Sequence, residues 1–268
     1  MRSKGAGGVR ARQASPRALA IAGGIALIAV IAIVLGLVLS SGGGGSNTVA
    51  PSDLNGLPPI GDATWSGALQ GAPDANALFK GIPQHGLTLG KPNAPVTMEM
   101  FIDVQCPFCQ DYETTKLPTI VQKYIRTGQV QLHLKPWAFI GKQGSQSFSG
   151  RLGLIAASQQ NKGFEYAKVL YDNQQPEETG WLTGQMMANI AASVNGLRMS
   201  QWQTDSNGPT AKAVAREVDA LVNEKKVVGT PTVFVGHTGG KLTDVGTSGY
   251  EPTLQQTEQA INKVLSGT

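Results

Sequence analysis

Cysteine and histidine are scarce in this chain of 268 residues, which contains two of the former and three of the latter. Structural zinc usually takes four Cys or His ligands at short spacings. His85, His133 and His237 stand alone, with no second ligand at such a spacing. The sequence therefore predicts no metal site, and nothing in it implies another cofactor.

Charged residues are also few, at 15% of the chain, and their basic excess is local. Five of the 22 Lys and Arg residues lie within residues 1–17, which contain no acidic residue. The rest of the chain has 17 basic and 18 acidic residues, a net charge of −1. This balance does not imply a basic surface on the folded part, and we therefore expect no nucleic-acid partner.

A long apolar run follows this basic segment. Residues 18–39 consist only of Ala, Ile, Leu, Val and Gly, and a helix of that length spans a hydrocarbon core of about 30 Å. The flanking positive charge predicts residues 1–17 in the cytoplasm and the rest of the chain outside, as a single-pass protein of the cell membrane. The alternative is a cleaved signal peptide, although the run is longer than the usual apolar core of about 7–15 residues.

Residues 40–59 are rich in Gly, Ser, Asn and Pro and cannot bury enough apolar surface to fold alone. Residues 60–84 are of mixed composition, with Trp65 and Phe79 as docking points if this stretch is ordered, which the sequence leaves open. We interpret residues 40–80 as a flexible tether. The folded domain is expected over residues 81–268, a suitable length for one domain.

The two cysteines are three residues apart, in the sequence Cys106-Pro107-Phe108-Cys109. They follow an apolar run at residues 96–102 and precede a stretch typical of a helix, predicted to end near residue 126. Side chains at i and i+3 of a first helical turn can close a small disulfide, and the helix N-terminus favours a thiolate at Cys106. This predicts a redox dithiol with Cys106 as nucleophile and Cys109 as resolving thiol. A purely structural disulfide would constrain the unfolded chain little.

The remaining pattern is mixed α/β. Apolar alternation predicts strands at residues 87–89, 130–134, 232–235 and 242–245. Helical spacing predicts helices at residues 146–160, 164–172, 183–194, 209–225 and 252–265. A helical block at about 145–225 therefore separates the two parts of a sheet.

This order of elements, with Cys-Pro-Phe-Cys opening the first helix and Thr230-Pro231 before a later strand, resembles the DsbA-like thiol–disulfide oxidoreductases of the thioredoxin superfamily. The chain is especially similar to membrane-anchored members. Further matching positions are Gly81 to Gln84, Leu89, Gly90, Pro92, Ala94, Pro95, Phe101, Asp103, Gln105, Gly229, Thr232 and Phe234. The resemblance implies a thioredoxin-like fold with an inserted helical domain, after one N-terminal transmembrane helix.

The resemblance also implies roles for single residues. Cys106 and Cys109 match the catalytic pair, and Pro231 matches a cis-proline that faces their disulfide. Thr230, Pro107 and Phe108 would then contact substrate. Several relatives have a buried acid six residues before the first cysteine, where this chain has Met100. In those relatives the acid can accept a proton from the resolving thiol. Here Glu99 and Asp103 are the nearby candidates for that proton relay, and either could instead be a paired structural acid.

The function implied is a membrane-tethered oxidase that introduces disulfides into exported proteins with free cysteines. The resemblance further implies a quinone-linked membrane partner of the DsbB or VKOR kind that reoxidises it. Phe108 stands where the strongest oxidants of the family have His, which predicts that the disulfide is a weaker oxidant than theirs. Two alternatives stay open: a reductase or isomerase using the same site, and a peptide-binding or chaperone module without redox function.

Overall fold

The computed structural model describes residues 68–141, 145–246 and 250–267, all of them in one compact unit. The segments predicted as cytoplasmic (1–17) and transmembrane (18–39) lie outside these ranges. Among the described residues, no helix is long and apolar enough to cross a membrane.

A sheet of six strands forms the centre of the described domain, in the order β1-β2-β4-β3-β5-β6. Strand β3 is parallel to β4 and antiparallel to β5. Every residue of β3 is buried, because helices cover both faces of the sheet. The strands are β1 (Gln84–His85), β2 (Thr88–Leu89), β3 (Val96–Ile102), β4 (Val130–Pro136), β5 (Thr232–His237) and β6 (Thr243–Asp244).

The helical stretch after β3 runs from residue 107 to 125, as predicted, but it is not a uniform α-helix. It consists of α2 (Pro107–Asp111), a π-helical turn, α3 (Leu117–Ile120) and a second π-helical turn. Pro118 lacks an N–H and its ring would clash with a carbonyl one turn earlier. The first π-turn, at Tyr112–Lys116, widens the helix directly before this proline. Residues 107–125 are called the redox helix below.

The inserted block is helical, which confirms the prediction for residues 145–225. The structure adds one helix, α7, that the sequence did not predict. The helix has no apolar periodicity to indicate it, because its residues are mostly polar and only Trp202 and Ser206 are buried. The helices of the block are α4 (Gln146–Ser158), α5 (Gly163–Asp172), α6 (Gly184–Ala192), α7 (Met199–Asn207) and α8 (Pro209–Lys225).

The C-terminal part also follows the prediction. Strand β6 pairs with β5 as an antiparallel hairpin partner. The closing helix α9 (Leu254–Ser266) begins with a reciprocal capping box between Thr253 and Gln256. Ile261 and Thr257 on this helix are buried against the sheet side of the domain.

The predicted boundary between tether and domain at residue 80 is wrong. Residues inside the predicted tether form helix α1 (Ala72–Leu78). Phe79 packs against Phe164 of α5, with 5.9 Å between ring centroids, and Asn76 donates to the backbone carbonyl of Ser193 at 3.1 Å. The sequence marked Phe79 as a possible docking point but could not show what it docks on, and the structure shows that this surface is supplied by the inserted helices.

Candidate active site

Cys106 and Cys109 lie at the N-terminal end of the redox helix, and both are free thiols. Cys106 is the N-cap residue of α2, with extended backbone dihedral angles of φ −71° and ψ 123°. Pro107 occupies the first helical position, where its missing N–H costs nothing. Cys109 is one turn further and completely buried. The local sequence therefore places the two thiols on one face, as predicted.

The environment separates the two thiols chemically. The pKa of Cys106 is lowered to about 7, mainly by a hydrogen bond from the Cys109 thiol. Burial opposes this effect, and the backbone N–H groups of Cys109 and Phe108 add to it. The pKa of Cys109 is raised well above its usual value, mainly by burial and then by the same hydrogen bond. Near neutral pH, Cys106 is the thiol that ionises and can attack.

The loop before β5 forms the opposite wall of the site. The Thr230–Pro231 peptide bond is cis, as the resemblance implied. The Cys106 thiol donates to the backbone carbonyl of Thr230 over 3.2 Å. The fold thus brings together Cys106, Cys109, Thr230 and Pro231, four of the predicted site residues, across more than 120 residues of sequence.

Large apolar side chains are exposed on three segments, one of which carries the dithiol. Phe108 on the redox helix is 61% exposed, Val228 before the cis-proline is 56% exposed, and Phe139 after β4 is 45% exposed. The Phe139 ring also stacks on the Trp137 ring at 5.0 Å between centroids. Only Phe108 was expected at the site, since nothing in the local sequence marks Phe139 or Val228 as exposed.

Asp103 lies between β3 and the dithiol and is fully buried. One carboxylate oxygen accepts from the Gln105 N–H at 2.8 Å and the Ser147 hydroxyl at 2.7 Å. The other accepts from the backbone N–H groups of Phe139 at 2.6 Å and Ile140 at 2.7 Å. Burial raises the pKa of Asp103, and these four donors oppose that effect.

Glu99, the other predicted relay candidate, is not brought to the dithiol. It lies on the opposite face of β3 from Met100 and forms ion pairs with Lys225 at 3.2 Å and Lys135 at 3.7 Å. Its contacts are therefore with α8 and β4. Within the part of the chain that the structure describes, no three His, Cys, Asp or Glu side chains are grouped to hold a metal ion.

A reduced dithiol at a helix N-terminus, next to a cis-proline loop and on a mixed sheet with an inserted helical block, defines the class of thioredoxin-fold redox proteins. The profile of a family described as "Thioredoxin" matches residues 83–244. Since this is more than half of the chain, the protein belongs to that family.

Curated relatives support the same class. The chain is 27% identical over 179 residues to the probable disulfide bond formation protein D of Bacillus anthracis, covering 66% of this chain and 77% of the relative. It is 25% identical over 152 residues to the disulfide bond formation protein D of Bacillus subtilis strain 168, covering 55% and 66%.

Solved structures share the fold. Oxidised BdbD from Bacillus subtilis aligns with a TM-score of 0.57 and 19% identity, over 77% of this chain and all of that chain. Wolbachia pipientis α-DsbA1 aligns with a TM-score of 0.56 and 17% identity, over 72% and 96%. The curated relatives identify the protein as a thiol–disulfide oxidoreductase, and the solved structures show that it shares their fold.

Proposed function

We propose that this protein is a dithiol oxidase that introduces disulfides into exported proteins. A substrate thiolate attacks the Cys106 sulfur of the Cys106–Cys109 disulfide and displaces Cys109 as a thiolate. A second substrate thiolate then attacks the substrate sulfur of the mixed disulfide and releases Cys106. The substrate loses two electrons and two protons, and the protein dithiol gains them.

The observation that carries the proposal is the difference between the two thiols. A thiol of lowered pKa is the better leaving group, so the release of Cys106 in the second step is fast. Stabilisation of the Cys106 thiolate also stabilises the reduced protein, which makes the disulfide oxidising. The relatives named disulfide bond formation protein D favour the same direction.

Membrane tethering is part of the proposal. Residues 18–39 would anchor the chain, and residues 1–17 would stay in the cytoplasm. The dithiol would then face an oxidising compartment, in which disulfides persist. The anchor would also hold the domain near a quinone-linked membrane oxidase of the DsbB or VKOR kind, which would return the dithiol to its disulfide.

A second candidate function, reduction or isomerisation of disulfides, is favoured by one observation. The Cys106 pKa of about 7 is close to that of thioredoxin and well above the value of about 3.5 in the strongest oxidants. The Cys106 thiolate is therefore only moderately stabilised. An oxidase and a reductase would use the same residues and would differ in the reduction potential of the Cys106–Cys109 disulfide.

The reduction potential of the Cys106/Cys109 couple tests the proposal. The full chain is equilibrated in detergent with glutathione buffers, and the disulfide fraction is counted by mass after alkylation. We expect about −120 to −180 mV, the range of oxidases and isomerases, and oxidation of a reduced protein substrate by the disulfide form. A potential near about −270 mV would contradict the oxidase and support a reductant. Cys106→Ser is the control and should show no exchange.

A further inference from the structure

Two Asn-Gly sequences lie within the described residues, at 195–196 and 207–208, and a third, at 55–56, lies outside them. An asparagine before glycine can lose its side-chain amide without an enzyme, because no side chain shields the glycine nitrogen. That nitrogen attacks the side-chain carbonyl carbon of the asparagine and closes a ring. In a folded protein, the reaction depends on whether these two atoms are free to meet.

The structure leaves both reacting groups of the first sequence free. Asn195 and Gly196 are exposed in the turn after α6, and Gly196 has a positive φ of 78°. Within the described part of the chain, neither the Asn195 side chain nor the Gly196 N–H makes a hydrogen bond. A β-carbon placed on Gly196 would meet one described atom, Lys162 Cε, at 3.9 Å. Water and hydroxide therefore reach this amide.

The second sequence is held at both reacting groups. Asn207 is the last residue of α7, and its side-chain amide donates to the Gln203 carbonyl at 2.9 Å. The Gly208 N–H donates to the Asp205 carbonyl at 3.0 Å. Ring closure at Asn207 therefore has to break these hydrogen bonds and open the end of a helix, which requires local unfolding.

We infer that Asn195 is a site of spontaneous deamidation in the folded protein and that Asn207 is protected from it. The Gly196 nitrogen loses its proton and bonds to the side-chain carbonyl carbon of Asn195, and the side-chain nitrogen leaves as ammonia with that proton. Water then opens the ring at either carbonyl, which yields aspartate or isoaspartate at position 195. One water is consumed for each ammonia released, so no oxidant or reductant takes part. The inference does not rest on the proposed function.

Position 195 matters because helix α1 is attached to this turn. The Asn195 N–H donates to the Asn76 side-chain oxygen at 2.8 Å, and the Asn76 amide donates to the Ser193 carbonyl at 3.1 Å. The Leu69 N–H donates to the Ser193 hydroxyl at 2.9 Å. Isoaspartate routes the main chain through the former side chain and lengthens it by one carbon atom. The turn then loses its geometry, and the attachment of α1 should weaken.

Ageing of the full chain tests the inference. The chain is kept in detergent in warm, mildly alkaline buffer, digested with trypsin and analysed by mass with fragmentation. Trypsin cleaves after Arg198, so the two described asparagines are on different peptides. We expect Asn195 to deamidate at least about fivefold faster than Asn207, the factor that corresponds to one ordinary hydrogen bond. Equal rates, or a faster reaction at Asn207, would overturn the inference.

The denatured chain is the matched control. In urea both asparagines lose their structural surroundings, and both keep glycine as the next residue. The two rates should then approach each other, mainly because Asn207 reacts faster than in the folded chain. A ratio that stays the same in urea would show that local sequence, rather than the fold, sets the difference, and the assigned cause would be wrong.

Asn195→Gln tests the effect on α1. Its longer side chain would have to close a larger ring, which is slow, while the backbone contacts of position 195 are kept. Hydrogen exchange is measured on fresh and aged samples of the native chain and of the variant. The amide groups of α1 should exchange faster in the aged native chain and stay unchanged in the aged variant. Equal acceleration in both, or none in a native chain that contains isoaspartate, would refute the link to α1.

Discussion

Cys106 and Cys109 have identical side chains, and their surroundings make them chemically different. Cys106 receives a hydrogen bond from the other thiol and backbone N–H groups at a helix start, which lowers its pKa to about 7. Cys109 is enclosed, so burial raises its pKa. The order of attack in the proposed cycle follows from this difference, because only a thiolate is a good nucleophile.

Alkylation of the reduced protein tests this difference. The rate at which iodoacetamide modifies Cys106 should rise with pH and reach half its maximum near pH 7, while Cys109 stays unmodified. Cys109→Ala removes the main hydrogen-bond donor and should move the midpoint upward. A native midpoint near pH 9, or a midpoint unaffected by Cys109→Ala, would contradict the assigned cause.

At the scale of elements, the redox helix and α5 enclose an acid that the proposed reaction does not use. Glu113 is only 2% exposed, and one of its oxygens has no hydrogen-bond partner among the described residues. Burial raises its pKa to about 8, Lys168 of α5 opposes this, and Asp172 adds to it. The interface between these two helices is therefore most stable when Glu113 is protonated.

This predicts a pH dependence of stability. The folded pKa of Glu113 is about 8 and its usual value is 4.5. Between these values the native state keeps a proton that the unfolded chain has lost. The free energy of unfolding should therefore fall as pH rises from about 5 to 8, by at most about 1.4 kcal/mol for each pH unit. Urea unfolding at several pH values would measure it.

Glu113→Gln should reduce that slope, because a glutamine cannot release the proton. The same substitution at the exposed Glu177 is the control and should leave the slope as it is. Equal slopes for the native chain and Glu113→Gln would show that this carboxyl does not titrate in the folded protein as stated.

At the scale of the whole molecule, the proposed arrangement joins a membrane anchor to a redox domain. In this proposal the apolar run of residues 18–39 would insert into the membrane. The five basic residues before it would set the orientation. The compact unit itself begins before residue 80, since α1 packs on the inserted helices. The tether proposed between anchor and domain is shorter than the sequence predicted.

Fractionation of cells that express the full chain tests the anchor. The protein should remain in carbonate-washed membranes, whereas a chain without residues 1–39 and without a cleavable leader should be found in the soluble fraction. Protease added to intact spheroplasts should degrade the redox domain. A domain that resists external protease but is cleaved after lysis would place it in the cytoplasm, against the proposal.

Much of the fold could be predicted, because its signals are local. The apolar run of β3, the dithiol at a helix start and the period of the inserted helices depend on neighbours within a few residues. The misses have physical reasons. Helix α7 is polar and owes its position to one buried tryptophan, Trp202, whose indole donates to the Gly153 carbonyl at 2.8 Å. Helix α1 and the residue after it are stabilised by contacts with residues 85 and 117 positions away.

The sequence by itself determined which groups can react, since two cysteines three apart at a helix start are a covalent and local fact. It also limited a cis bond to a proline, because other residues rarely tolerate one, and the family resemblance, rather than the residue itself, indicated Pro231. Tertiary structure decided everything that depends on distant partners: the four donors around Asp103, the separation of Glu99 from the dithiol, and the exposed Phe139 and Val228. Hydrogen bonds and burial require segments to meet in space, and spacing along the chain does not show which segments will meet.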